Sequence, residues 1–170
     1  MESKLVLITG MPSSGKTTLA EGLGKALRRR GVFSLHVDGI EFRRIVGNYV
    51  FDERSIDELF ERIEAFTEVM KDKGMILIYS LVAHRRHLRE RLKRILSAVH
   101  VHLECPVEIL KERDSKGVYK AADRGEMFLP GYSEPYEMPL QADLVLRSCE
   151  MEVSEEVEKV LKLLERKGWL

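Results

Sequence analysis

The chain alternates between short, continuous apolar runs and longer segments in which apolar positions recur every three or four residues. The continuous runs predict strands, and they lie at 5–9, 32–37, 75–80, 99–103 and 143–146. The segments of helical period predict helices, and they lie at 17–30, from 55 to the stop at Gly74, and at 84–97, 106–113 and 154–167. Strands that alternate with helices and are apolar throughout predict a three-layer α/β/α fold with a mainly parallel, five-stranded sheet.

One long segment does not fit either pattern. Residues 114–141 carry glycine, proline and charged residues and show little periodicity. Long segments without regular structure are uncommon inside a compact domain, and many of them are lids over active sites. We therefore expect a single domain, 1–170, with a lid at about 114–141.

Composition and charge exclude several classes of protein. The chain has 170 residues, 44% hydrophobic and 33% charged, and a formal net charge of zero. This balance is typical of a globular protein and argues against a general nucleic-acid or membrane binder. The first predicted strand begins too early to leave room for a signal peptide, and no apolar run approaches the ~20 residues of a membrane span. Cys105 and Cys149 lack metal spacing, so we expect reduced thiols and a cytoplasmic protein.

The most informative motif is Gly10–Thr17, which fits G-x-x-x-x-G-K-[ST] between a predicted strand and a predicted helix. In that context the loop's backbone N–H groups and the helix N-terminus form a phosphate site. Lys16 is expected to reach the β- and γ-phosphates, and Thr17 to hold Mg²⁺. The motif predicts a P-loop NTPase fold and a nucleotide triphosphate site formed by Gly10, Ser13, Ser14, Gly15, Lys16, Thr17 and Thr18.

Asp38 follows the second predicted strand, at the sheet edge where ligands of parallel sheets gather. It could take part in the Mg²⁺ shell or orient an acceptor hydroxyl, and the alternative is an Asp in a strand–helix turn. Arg43 would lie on the same side and could hold an anion, or it could simply be solvated.

Basic and histidine residues near the third and fourth strands are ambiguous. Arg85, Arg86 and Arg89 could bind phosphates, but the exposed face of an amphipathic helix is the commoner case. His100 and His102 flank one residue of a strand and share a face, yet no carboxylate or Cys lies at ligand spacing, which argues against zinc.

The start of the predicted lid, Arg113–Lys120, contains three cations in eight residues. Cations on a mobile loop are suited to closing over transferred charge. An exposed polar loop would have the same spacing.

Four stretches resemble the adenylylsulfate kinase family. The family's R-D-x-K-G-L-Y-K-x-A, G-E, S-P-Y-E-x-P and E-L-V-L are matched by Arg113–Ala122, Gly125–Glu126, Glu134–Pro139 and Asp143–Leu146. Because they follow in the family's order at near-correct spacing, the similarity extends from the first strand to about Arg147.

The resemblance implies a kinase that transfers the γ-phosphoryl group of ATP to the 3′-hydroxyl of adenosine 5′-phosphosulfate, with Mg²⁺. It gives catalytic roles to Lys16, Asp38 and Arg113, and it adds Arg113 and Arg147 to the ATP site. Thr17 would hold Mg²⁺, with Asp38 bound directly or through water. The implied acceptor residues are Asp38, Arg43, Phe51, Val82, Ala83 and Lys116. Family members are often dimers, so a homodimer is also implied.

The acceptor side departs from the family's pattern. The family's D-G-D-N-x-R reads Asp38–Arg43, with Ile40 and Glu41 at the second Asp and the Asn, and its R-E-E-N falls on Ile56–Leu59. A lost charge-assisted contact in a buried site costs about 1.5–3 kcal/mol. Adenylylsulfate would therefore bind less tightly unless nearby residues such as Arg44 and Arg54 compensate.

Three other functions remain to be weighed. The same machinery could phosphorylate another nucleotide conjugate or a small alcohol. The chain could also be an inactive module that binds ATP. A guanine-nucleotide switch is disfavoured, because its N-K-x-D motif is absent from the sequence.

Overall fold

A parallel sheet runs through the middle of the computed structural model, which describes residues 2–48 and 52–170. Within those residues the sheet has five strands in the order β2-β3-β1-β4-β5, and each pairing is parallel. The strands are β1 Lys4–Gly10, β2 Ser34–Asp38, β3 Ile76–Leu81, β4 Ala98–Glu104 and β5 Leu144–Arg147. The predicted fold class is confirmed.

Helices cover both faces of the sheet. In the described part of the chain they are α1 Lys16–Arg29, α2 Gly39–Val46, α3 Glu53–Met70, α4 Arg86–Ile95, α5 Val107–Glu112, α6 Val118–Asp123 and α7 Val153–Arg166. On one face, α1 and α7 bury leucines and valines against the sheet; on the other, α3 and α4 do so. Strand β1 lies between β3 and β4, and its residues 5–8 are fully buried. The loop that follows β1 is therefore attached to the most rigidly held strand.

Helix α2 was not predicted. The Asp38 side chain caps it, since Oδ1 accepts hydrogen bonds from the backbone N–H of Ile40 (2.9 Å) and Glu41 (3.3 Å). The helix ends at Gly47, which has a φ of 68° that glycine adopts without strain.

Helix α3 begins earlier than predicted. Its cap is Asp52, which accepts a hydrogen bond from the backbone N–H of Ser55, so the residue at which the helix was predicted to begin lies inside the first turn. Ser55 is buried and donates to Asn48 Oδ1 (3.0 Å). The Ser55 side chain therefore joins α3 to the residues that follow α2.

The segment 114–141 is more ordered than predicted. It contains α6, and the buried side chains of Tyr119 and Leu129 pack with Leu110 of α5 in a small third cluster. An interpretation of the whole segment as structureless is therefore wrong. The single-domain assignment stays a prediction. No helix in residues 2–48 or 52–170 combines the length and the apolar character needed to cross a bilayer.

Candidate active site

The phosphate loop connects β1 to α1 and depends on unusual backbone angles. Gly10 has a φ of 153°, and a Cβ there would lie 2.8 Å from both Leu103 O and Ser14 Oγ. Ser13 and Gly15 have φ values of 65° and 94°. A side chain at position 10 would force the loop off β4, so the first glycine of the motif is required by sterics.

Lys16 is the first residue of α1 and bends back into the loop. Its Nζ donates to Met11 O (2.7 Å). Burial lowers the Lys16 pKa to about 8, and the nearby Asp38 carboxylate partly opposes that shift. Ser14 Oγ is buried within the same loop and has no hydrogen-bond partner among the described residues. Lys16 can exchange Met11 O for a phosphate oxygen, and Ser14 Oγ can donate a hydrogen bond to another. Both side chains therefore fit a loop that binds phosphate.

Asp38 is the centre of a cluster that joins the ends of β2 and β3 to the start of α1. Its Oδ2 accepts hydrogen bonds from Thr17 Oγ1 (2.7 Å) and Ser80 Oγ (2.9 Å), and His36 Nε2 contacts Ser80 Oγ (2.8 Å). Burial tends to raise the Asp38 pKa, but four hydrogen bonds outweigh it and the pKa falls below its usual value. Asp38 is therefore a carboxylate at neutral pH, next to the proposed Mg²⁺ ligand Thr17.

Asp38 lies in a strand–helix turn, as one alternative predicted, and its Oδ1 caps α2. Its Oδ2 accepts a hydrogen bond from Thr17, and the role of Asp38 in Mg²⁺ or acceptor binding stays a prediction. Sequence reasoning missed Ser80, although its place at the end of a predicted strand beside Asp38 could have identified it.

The segment 114–141 contacts the phosphate loop directly, which the sequence did not indicate. The Tyr119 hydroxyl donates to Pro12 O (2.8 Å). Gly131 packs so closely on the loop that a Cβ would lie 2.8 Å from Met11 Sδ and from Tyr136 Cδ2. Two residues of the phosphate loop, Met11 and Pro12, are therefore contacted by residues that lie about 110 to 120 positions later in the sequence.

The residues predicted to contact the acceptor, which we call the acceptor side, include residues after β3 and in α2. Ala83 is buried and has a φ of 42°, which is strained for a residue with a Cβ, and Val82 is half-buried beside it. Arg43 is buried, and its Nη1 donates to Asn48 Oδ1 (2.5 Å), so it also serves to join α2 to α3. Phe51, the aromatic residue predicted to contact the acceptor, lies outside the described residues.

The exposed cations lie at the rim of the site. Arg113 ends α5, is exposed, and donates over 3.5 Å to Ser148 O. Arg147 pairs with Glu150 (3.8 Å) and lines a cleft of about 380 Å³ that reaches Met11. Lys116 is exposed on the loop before α6. Arg113 and Arg147 thus lie on the β4–β5 side, and Asp38, Arg43 and Ala83 on the β2–β3 side, with the phosphate loop between them.

The paired histidines of β4 belong to a buried polar network. Thr9 Oγ1 forms hydrogen bonds with His100 Nε2 (2.7 Å) and His102 Nδ1 (3.0 Å). Burial, assisted by the positive charge of Arg89, lowers the pKa of His100 to about 3 and that of His102 to about 4. Both rings are therefore neutral at physiological pH and support β1 just before the phosphate loop.

The three arginines at the start of α4, whose role the sequence left ambiguous, differ in their exposure to solvent. Arg86 is exposed and Arg85 is mostly covered by Glu134. Arg89 is 2% exposed, so the interpretation of these arginines as a solvated helix face is wrong for it.

The family model for adenylylsulphate kinase matches residues 2–147. The chain belongs to the adenylylsulphate kinase family. It is therefore a kinase, and the resemblance carried by the stretches from Arg113 to Leu146 is confirmed.

Relatives of similar length support that assignment. The probable adenylyl-sulfate kinase of Halalkalibacterium halodurans is 31% identical over 96% of this chain and 84% of its own length. The adenylyl-sulfate kinase of Halothermothrix orenii is 30% identical over 97% of this chain and 91% of its own. The Mycobacterium tuberculosis APS kinase, solved with AMPPNP and APS, shares the fold with a TM-score of 0.89 at 24% identity, over 96% of this chain and 98% of that one.

Proposed function

We propose that this protein transfers the γ-phosphoryl group of ATP to the 3′-hydroxyl of adenosine 5′-phosphosulfate. The observation that carries the proposal is the cluster between the carboxyl ends of β2 and β3 and the start of α1, where Lys16, Thr17 and Ser80 surround Asp38. Membership of the adenylylsulphate kinase family supports ATP as donor and adenylylsulfate as acceptor.

The loop amides of residues 13–18 and the Lys16 ammonium would bind the triphosphate. Lys16 exchanges Met11 O for a phosphate oxygen, and the negative charge of the ligand raises its pKa again, so it binds as a cation. The Ser14 hydroxyl, unpaired among the described residues, gains a partner at the same time. These exchanges make the loop's affinity specific for a polyphosphate.

The oxygens of Thr17 and Asp38 fit the hard-oxygen preference of Mg²⁺, and both would hold it. When bound, Mg²⁺ neutralises charge on the β- and γ-phosphate oxygens. The hydrogen bonds from Ser80 and from the start of α2 keep the Asp38 carboxylate fixed and ionised.

Asp38 would also orient the acceptor hydroxyl by accepting its hydrogen bond. A loose phosphoryl-transfer transition state requires positioning more than proton removal, so a low pKa does not disqualify this carboxylate. Arg43, Phe51, Val82, Ala83 and Lys116 are proposed for the acceptor.

The rim cations complete the proposed site. Arg113 would close over the transferred charge with the lid and exclude water, and Arg147 would contact ATP from the cleft that reaches Met11. A cytoplasmic location, a homodimer and a single domain over 1–170 belong to the same proposal.

The test is a turnover assay with ATP and adenosine 5′-phosphosulfate, in which 3′-phosphorylated product is identified by phosphorus NMR. Lys16→Ala should lower kcat/KM by about 10³-fold, whereas Lys25→Ala on the exposed face of α1 should leave it unchanged. Asp38→Asn should lower kcat by about 10²-fold with little change in ATP affinity.

Each alternative has its own signature in this assay. Product formed from another nucleotide conjugate or a small alcohol, but not from adenosine 5′-phosphosulfate, would replace the proposed acceptor. ATP binding without turnover on any acceptor of the panel would reduce the protein to a binding module.

A further inference from the structure

Arg89 is one of the largest fully buried side chains of the described residues, in the first half of α4. Its Nη1 donates to Ala83 O (2.5 Å) and its Nη2 to Glu137 O (2.5 Å). Its guanidinium carbon lies 5.5 Å from the centre of the Tyr136 ring. Among the ion pairs of residues 2–48 and 52–170, none links Arg89 to a carboxylate within 4.0 Å.

Such an arrangement is costly. A cation removed from water loses several kcal/mol of hydration unless a counter-charge and hydrogen bonds replace it, and here carbonyl oxygens and a ring face provide the replacement. Burial lowers the Arg89 pKa, with Tyr136 and Glu137 opposing that shift. The neighbouring inward-facing positions of α4 hold Leu88 and Leu92, so a leucine would fill position 89 without this penalty. The guanidinium must therefore contribute something that an apolar side chain cannot.

What it contributes is a connection between two segments that have no secondary structure of their own. We name residues 134–138 the strap. The strap crosses the carboxyl edge of the sheet, where the backbone N–H of Glu137 donates to His84 O (2.8 Å) and the Tyr136 hydroxyl donates to Val82 O (2.9 Å). Arg89 donates one hydrogen bond to each of the two segments that meet at this crossing, the turn after β3 and the strap.

The first segment is the strained turn after β3. Ala83 has a φ of 42°, and its carbonyl is one of the two that Arg89 holds. Because left-handed backbone of a residue with a Cβ persists only where its surroundings impose it, the hydrogen bond from Arg89 holds this turn together with those from Tyr136 and Glu137. Val82 and Ala83 are the residues proposed to contact the acceptor.

The second segment leads to the phosphate loop. The Tyr136 ring lies 5.4 Å from the His102 ring, and His102 is bonded to Thr9, the residue before Gly10. Tyr136 also packs against Gly131, which in turn contacts Met11 of the loop. Through the strap, one guanidinium therefore fixes the acceptor turn relative to the phosphate loop.

We propose that Arg89 is a positioning residue of the kinase, whose two hydrogen bonds set the place of the acceptor turn against the phosphate loop. The inference rests on the proposed function, because it concerns the acceptor of that reaction. It does not involve contact between Arg89 and either substrate. Its loss should therefore affect acceptor binding and orientation, and should leave the ATP site, held by the loop itself, largely intact.

The experiment compares Arg89→Met, Arg89→Lys and Arg89→Ala with Arg94→Met, a control at an exposed position of the same helix. Arg89→Met should raise the KM for adenosine 5′-phosphosulfate by about tenfold, the equivalent of one lost hydrogen bond, with the KM for ATP within about twofold of wild type. Arg89→Lys, which can bond one carbonyl at a time, should have a KM for adenosine 5′-phosphosulfate between those of the wild type and Arg89→Met. Guanidinium ion at non-denaturing concentration should partly restore the acceptor KM of Arg89→Ala and not that of Arg89→Met, whose side chain fills the space.

Equal changes in both KM values, or an acceptor KM that stays at the wild-type value in Arg89→Lys and Arg89→Met, would overturn the proposal. Should Arg89→Met fail to fold, Arg89→Lys and the guanidinium response of Arg89→Ala decide the question. A wild-type protein that does not phosphorylate adenosine 5′-phosphosulfate refutes the proposed function, whereas an active wild type with an insensitive Arg89 refutes this inference alone.

Discussion

The two halves of residues 114–141 are held to the molecule in different ways. In the leading half, residues 114–127, charged side chains pair with one another in solvent, as Arg124 does with Glu126 at 2.7 Å. In the trailing half, residues 128–141, the strap is bonded to the start of α4 and to the buried Arg89. Tyr119 is the one side chain of the leading half that is fully buried among the described residues, and it is bonded to Pro12.

This difference gives the two halves of the predicted lid different attachments. Exposed ion pairs are worth little, so in the leading half the buried Tyr119 and the partly buried side chains beside it provide most of the attachment. The trailing half is held by hydrogen bonds to buried groups. Lys116, one of the cations proposed to close over the site, lies near the start of the leading half, and Arg113 lies immediately before it.

The largest expected effect is a dependence of stability on pH that comes from the two histidines of β4, one of which packs against the strap. The His102 ring lies against Tyr136 and both histidines bond to Thr9, and the pKa values of His100 and His102 lie near 3 and 4 in the folded protein. The unfolded chain, with ordinary histidines, takes up protons at higher pH, so stability is complete above about pH 6.5 and falls as the pH approaches 4.

The expected loss is on the order of 5 kcal/mol at pH 4, measured by urea unfolding. In the double variant His100→Gln with His102→Gln, Thr9 keeps a partner, and the slope below pH 6.5 should become much shallower. A slope equal to that of wild type would place the acid-sensitive groups elsewhere.

The next effect is a difference in stability between variants of two tyrosines, Tyr136 of the strap and Tyr132, whose hydroxyl bonds to Asp123 of α6. Tyr136→Phe removes a hydrogen bond to the buried carbonyl of Val82 and should cost about 1.5 kcal/mol. Tyr132→Phe removes a bond to the exposed Asp123 and should change the unfolding midpoint within error. Both tyrosines belong to the trailing half, and equal losses in urea unfolding would mean that the strap's bond to the turn after β3 stabilises the protein no more than an exposed bond to Asp123 of the leading half.

A smaller effect is expected at Tyr119. Tyr119→Phe leaves Pro12 O without its donor and should cost about 1 kcal/mol of stability. Because Pro12 belongs to the phosphate loop, titration calorimetry should also show ATP binding weakened by about threefold. Unchanged ATP affinity together with lost stability would confine Tyr119 to a packing role.

The smallest effect is expected in the leading half itself. Arg124→Ala breaks the exposed pair with Glu126 and should leave the melting temperature unchanged, because solvent already screens both charges. A clear drop in melting temperature would show that the leading half is anchored as firmly as the strap.

Sequence reasoning recovered the elements whose signal is local. Strands such as β1 and β3 are mostly apolar, and the motif at Gly10–Thr17 specifies a loop between a strand and a helix, so the sheet and this loop could be predicted. The binding of phosphate by the loop stays a prediction. Helix α2 was missed because it has eight residues and begins with Gly39, a poor helix former, so the Asp38 cap was its main signal.

Contacts between distant positions could not be predicted. The burial of Arg89 depends on a strap some fifty residues later, and that of Tyr119 depends on Pro12, 107 positions earlier. In both cases the residue type suggested a polar surface or loop, and tertiary packing decided otherwise. Most of the acceptor side has the same character, since its geometry is set by Ala83 and the strap and not by a motif.

Asp38 uses one oxygen to start a helix and the other to accept a hydrogen bond from Thr17. A mutation there removes a structural cap together with a group proposed for catalysis, so selection for a folded protein alone is enough to preserve it. A descendant of this chain that had abandoned phosphoryl transfer would still be expected to retain an aspartate at this position. Its presence in a distant homologue is therefore weaker proof of activity than the lysine of the loop, on which no helix depends for its first turn.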